Sequence, residues 1–184
     1  MKRIFLLLSA IGLYTVGRAQ TNASVSASQT AMLSLGTVVQ ISAFGGDGSE
    51  NTSTVTMPIS ASNDLANGIE SPEFTLAINS TAGFDVKAKA NTEYFSYTGS
   101  SAFPPSMRVS DVLALKVSNN STSATVTGGH DQYQPIGGST ESPILANGAG
   151  GSNQVMGVKY KSTPGYNYPA GVYTVDIVYT ITQY

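Results

Sequence analysis

A chain of 184 residues carries nine Lys and Arg against eleven Asp and Glu, a formal net charge of −2, with one histidine and no cysteine. Without cysteine there is no disulfide, no thiolate metal site and no thiol nucleophile. The scarcity of basic residues argues against nucleic acid as a partner, because that binding draws on clustered Lys and Arg, and a charged fraction of 11% implies an uncharged polar surface.

Residues 1–19 have the three parts of a secretory signal peptide. Lys2 and Arg3 form a basic start, Ile4 to Val16 an apolar run, and Gly17-Arg18-Ala19 a small-x-small exit. The apolar run is about 13 residues, short of the ~20 that span hydrocarbon, and no later stretch is apolar enough to do so. Cleavage after Ala19 leaves Gln20 first, with six basic residues against eleven acidic ones and a net charge of about −5. No cysteine stands at the processing site to carry a lipid. The remaining residues, 20–184, suffice for one domain with its own core.

The stretch after the signal alternates. Ala23, Val25, Ala27, Ala31, Leu33 and Leu35 share one parity, and Ser24, Ser26, Ser28, Thr30 and Ser34 the other, with Gln29 interrupting the apolar row. A period of two is the signature of a strand. Gly36 marks a bend or bulge; Val38, Val39 and Ile41 continue as a strand, and Phe44 to Asn51 is turn-rich. Val55 to Ile59 follows as a further strand, then a loop from Ser62 to Pro72. Phe74, Leu76 and Ile78 alternate, as do Phe84, Val86, Ala88 and Ala90, and the Asn79–Gly83 link predicts a hairpin that turns Lys87 and Lys89 to solvent.

Ser96 to Pro105 reads as irregular, since Pro104-Pro105 forbids a central strand. Leu113, Leu115 and Val117 make a strand, Asn119 to Ser123 a turn, and Ala124 to Thr127 starts another strand. Gly128 to Asn153 shows little periodicity and is expected to be a mobile loop with one short strand. Val155 to Tyr160 is a penultimate strand and Ser162 to Ala170 a structured turn. In the closing run Gly171 to Tyr184, Tyr173, Val175, Ile177, Tyr179 and Ile181 share one face, so this strand needs neighbours already in place and belongs at a sheet edge or end. No helical period is sustained; Asn63 to Asn67 makes one turn at most. The expectation is an all-β fold, an immunoglobulin-like two-sheet antiparallel sandwich of about seven to nine strands. The words LANG and ESP occur twice in different order, a coincidence rather than a repeat.

Candidate chemistry is sparse. His130 with Asp131 is the one place for a general base, but there is no G-x-S-x-G turn, and the pair reads as a solvated loop. Asp47, Ser49 and Asn51, with Glu50 nearby, alternate oxygen ligands as a calcium loop does, without the carboxylate count or closing Glu of one. No pair of acids stands out for glycoside hydrolysis. Asn-x-Ser/Thr patterns are expected by chance in so polar a chain. No enzyme, cofactor or metal site is expected. Aromatic residues are more informative. Tyr160, Tyr166, Tyr168 and Tyr173 bracket one turn, and Tyr94, Phe95, Tyr97 and Phe103 lie in another irregular stretch. Tyrosine has an apolar face and a polar tip, so the first group is a candidate glycan contact, the alternative being aromatic packing at a sandwich end.

Ala19-Gln20 followed by alternating Ala, Val and Ser, together with NYPAGVYTVDIVYTITQY from Asn167 to Tyr184, resembles the two ends of secreted bacterial pilin-like and spore-coat-U-like sandwiches. The resemblance implies a chaperone–usher-type surface subunit that assembles by donor-strand complementation. Asn22 to Leu35 would then be the donor, with Ala23, Val25, Ala27, Ala31, Leu33 and Leu35 facing inward; the same alternation fits an ordinary first strand of the chain's own sandwich. The functional expectation is a non-enzymatic, exported structural or adhesive protein of the cell surface or a fimbrium, reached by periplasmic transit. Its partners would be further copies or other surface subunits. The alternative is a carbohydrate-binding sandwich that uses the tyrosine-rich turn.

Overall fold

The computed structural model describes residues 37–44, 54–103 and 105–184. The predicted signal peptide, the alternating segment 22–35 and the loop around Asp47 lie outside the described residues.

Strands β3 (Phe74–Ser80) and β4 (Phe84–Ala90) bury every second side chain along their whole length, as their alternation requires. They do not form the predicted hairpin. β3 pairs with β1 (Val39–Phe44), Val39 opposite Ser80, and with β10 (Gly151–Ser162). β4 pairs instead with β12 (Ile177–Gln183) and β9 (Ser142–Gly148), so the two lie in different sheets. The reason is cover. In a hairpin the two apolar rows would lie side by side and still face water. Crossing at residues 81–83 sets Phe74, Leu76 and Ile78 against Phe84, Val86, Ala88 and Ala90 in one core. The link is tied by Ser80 Oγ, which donates to the Ala82 carbonyl at 2.7 Å, and by the Thr81 amide, which donates to Val38 at 3.0 Å.

The fold is an antiparallel all-β sandwich. One sheet runs β1-β3-β10-β6 (Leu113–Asn120)-β8 (Gln134–Pro135), with β2 (Ile69–Glu70) on the end of β10. The other runs β12-β4-β9-β7 (Thr125–Val126), and β5 (Ser96–Thr98) pairs separately with β11 (Val172–Thr174). Of these twelve strands seven have six or more residues, and the rest are two- or three-residue pieces. Two short helices, α1 (Ser62–Asn67) and α2 (Val109–Val112), lie in the connections.

The other departures from the sequence reading share one cause, local interruption of the period of two. The stretch Gly128 to Asn153 is not one loop: it contains β8, β9 and the start of β10. Register shifts in the β4–β9 ladder put both Ile144 and Leu145 inside, and Asn147 and Asn153 take left-handed backbone at φ 58° and 53°. Bulges of this kind erase alternation while keeping the ladder. The irregular 96–105 segment contains β5, and the closing run is two strands, β11 and β12, broken at Val175-Asp176. There Asn91 closes the break, its amide donating to the Asp176 carbonyl and its side chain to the Asp176 carboxylate, both at 2.9 Å. Val55 and Met57 pack on the core, but 54–59 joins no ladder among the described residues.

His130 is not a solvated loop residue. It is 2% exposed, and its carbonyl accepts the Val117 amide at 2.7 Å. Its Nδ1 lies 3.1 Å from the Leu115 carbonyl; a carbonyl only accepts, so Nδ1 carries the proton. The Gly128-Gly129 turn, at φ 63° and 75°, brings the ring under β6. Polar composition suggested exposure because the partners, the Leu115 carbonyl and the Val117 amide on β6, are silent in the sequence. Lys87 and Lys89 do face out, 3.9 and 3.7 Å from Glu141.

Phe84 is fully buried between the sheets. Phe84→Ala is expected to cost about 3–5 kcal/mol and Lys89→Ala less than about 0.5 kcal/mol, measured by urea unfolding; equal effects would contradict the assigned faces.

Candidate functional site

The inner row of β12 is less covered than that of the strand beside it. Its neighbour β4 presents Phe84, Val86, Ala88 and Ala90 with at most 1% exposure, whereas Ile177, Tyr179 and Ile181 one strand away are only partly covered. β12 has β4 on one side and no partner on the other among the described residues. β1 is likewise the outer strand of the opposite sheet. The two outer strands meet at one end, where Gln183 Nε2 donates to the Val38 carbonyl at 3.0 Å and to Ser80 Oγ at 2.7 Å.

Away from that clasp lies a groove of about 570 Å³, lined by Phe74, Leu76, Leu113, Tyr160, Ile177 and Tyr179, with Val55 and Met57 across it. Its lining also includes Thr54, Thr174 and Asp176, so it is apolar only in part. Tyr160, on β10, and Tyr179, on β12, approach from opposite sheets until their hydroxyl oxygens are 2.6 Å apart. Burial drives the Tyr160 phenol up to about 12 and Tyr179 well above its ordinary range, the closeness of the pair adding to the rise at Tyr179. Two phenols hold two protons, and one hydrogen bond between them uses one. The second proton has no protein acceptor among the described residues.

The predicted tyrosine group is divided. Tyr160 is 6% exposed and points into the groove, where no sugar surface could stack on it. Tyr173 also lines the groove and sits in an aromatic cluster, 5.0 Å from the Tyr97 ring and edge-on to Phe95 and Tyr168 at 6.5 and 6.4 Å. The hydroxyls of Tyr173 and Tyr97 donate to the Pro169 and Ala170 carbonyls at 2.7 and 3.0 Å. These rings therefore hold the 164–171 turn against β5. Tyr166 stands apart, 66% exposed, its hydroxyl donating to Ser62 at 2.8 Å. The residue missing from the predicted group is Tyr179. Its signal was present: a tyrosine between Ile177 and Ile181 in an inward row must find a partner for its hydroxyl.

The candidate donor residues Ala23, Val25, Ala27, Ala31, Leu33 and Leu35 and the oxygen-rich loop Asp47, Ser49, Glu50 and Asn51 lie outside the described residues. No helix among the described residues is long and apolar enough to cross a membrane. No protein-family model matches the chain, and no curated protein matches it significantly.

A phenol whose folded pKa is raised contributes stability that is complete below its unfolded pKa of 10.0 and lost as pH rises through about 12. At two pH units this is on the order of 2–3 kcal/mol. Urea unfolding between pH 8 and 12 is expected to show that loss in the natural chain and a shallower one in Tyr160→Phe; parallel curves would contradict a buried, protonated Tyr160.

Proposed function

We propose that this chain is an exported, non-enzymatic structural or adhesive surface subunit that assembles by strand donation, Asn22–Leu35 of one copy lying along β12 of the next. The observation that carries this reading is that one side of β12 has no partner among the described residues, beside a partly covered groove. Outer strands of stable monomers are normally guarded by lysines, prolines or bulges. β12 reads IVYTITQ, with no charge and no proline. An added strand would pair its backbone and cover Ile177, Tyr179 and Ile181, each large apolar side chain contributing roughly 1.5–3 kcal/mol on full burial.

Strand order supports the same view. A constant-type immunoglobulin sandwich has sheets ABED and CFG. Taking β1, β3, β10 and β6 as A, B, E and D and β4 as C makes β12 strand F, and place G, beyond it, holds no described residue. β9 then lies on the far side of C, where variable-type domains add a strand. On this immunoglobulin-like, pilin-like reading the last outer strand comes from a neighbour. Export rests on the signal-like residues 1–19.

Native protein extracted from the cell surface is expected to run as a ladder that collapses to one band only on boiling. Deleting Asn22–Leu35 should remove the ladder and leave a folded monomer. A natural chain that is monomeric without boiling, or a deletion that unfolds the domain, would make the segment an intrinsic first strand instead.

A further inference from the structure

The groove holds a pair of hydrogen-bonded phenols, and the sequence proposed to fill it carries one amide in its apolar row. The lining that holds the pair includes Phe74, Leu76, Leu113 and Ile177, with Thr54, Thr174 and Asp176 as further polar members. An all-apolar strand laid over this floor would shut the unaccepted phenol proton away from water, a costly arrangement for a hydroxyl. The inward row of residues 23–35 is apolar on both sides of a single amide: Ala23, Val25 and Ala27 before Gln29, and Ala31, Leu33 and Leu35 after it. A carboxamide matches the phenol pair in both directions. Its carbonyl accepts the free O–H, and its NH2 donates to a phenol lone pair.

We infer that Gln29 of a second copy docks on the Tyr160–Tyr179 pair and sets the register of strand donation. The inference rests on the assembly reading above and adds to it the alignment of the two chains. With Gln29 opposite Tyr179, Ala27 and Ala31 fall opposite Ile177 and Ile181. Small side chains then meet large ones across the groove, which suits interdigitation. A slip of two residues would set an alanine on the phenols and bury the amide against isoleucine, leaving both polar groups unmatched. A single polar group in an apolar seam fixes alignment in this way in coiled coils. The described chain begins at residue 37, and the Val38 carbonyl sits 3.0 Å from Gln183 at the end of β12.

The absence of natural cysteine permits a direct test in the full chain. Ile181→Cys is combined in turn with Val25→Cys, Ala27→Cys, Ala31→Cys or Leu33→Cys, leaving Gln29 and both tyrosines intact, and disulfides are read on non-reducing gels with mass spectrometry. The expected result is an intermolecular bond at least tenfold favoured from one alanine alone, Ala31 if the strands run parallel or Ala27 if antiparallel. A bond favoured from Val25 or Leu33, or shared evenly among all four, overturns the register while strand donation stands. A bond closed within one chain, or no bond and no ladder, overturns the assembly reading with it; no bond in chains that still form ladders overturns the register alone. Adding Gln29→Leu should spread the cross-link over several positions. A cross-link that stays at one position in Gln29→Leu would show that the phenols do not read the amide.

Discussion

Two strands that each have one apolar face cannot both be covered while lying side by side. That constraint sends the chain across from β3 to β4 at residues 81–83, and the rest of the molecule is arranged around it. Phe74, Leu76 and Ile78 meet Phe84, Val86, Ala88 and Ala90, so each strand becomes the seed of a different sheet. β10 and β1 then flank β3, and β9 and β12 flank β4. The register shifts in the β4–β9 ladder follow from the same demand, because they let both Ile144 and Leu145 turn inward where a regular ladder would expose one of them.

The groove is a consequence of where that arrangement ends. Among the described residues β12 has one ladder neighbour, and the clasp of Gln183 on Val38 and Ser80 joins the two outer strands at one end. Beyond it, the extended 54–59 segment places Val55 and Met57 over the opening without a ladder. It covers apolar surface at the groove.

Aromatic residues divide between two roles that composition does not separate. Tyr97, Tyr168 and Tyr173 with Phe95 brace the turn before β11, their hydroxyls bound to nearby carbonyls in two cases. Tyr160 and Tyr179 face each other across the core. Proximity in sequence grouped Tyr160 with Tyr166, Tyr168 and Tyr173, but strand parity turns Tyr160 inward, and its true partner is on a different strand.

For 74–78, 84–90, 113–117 and 177–181, both the strand and the face it buries were legible from sequence, because successive side chains on extended backbone point to opposite sides. Relations between strands were not legible. The hairpin read across Asn79–Gly83 and the exposure read for His130 both fail, because pairing and burial depend on groups far apart in the chain. The Tyr160–Tyr179 contact is the clearest case, since neither residue carries a mark of the other. Alternation specifies a face, and only the closing of two sheets on one core decides what that face meets.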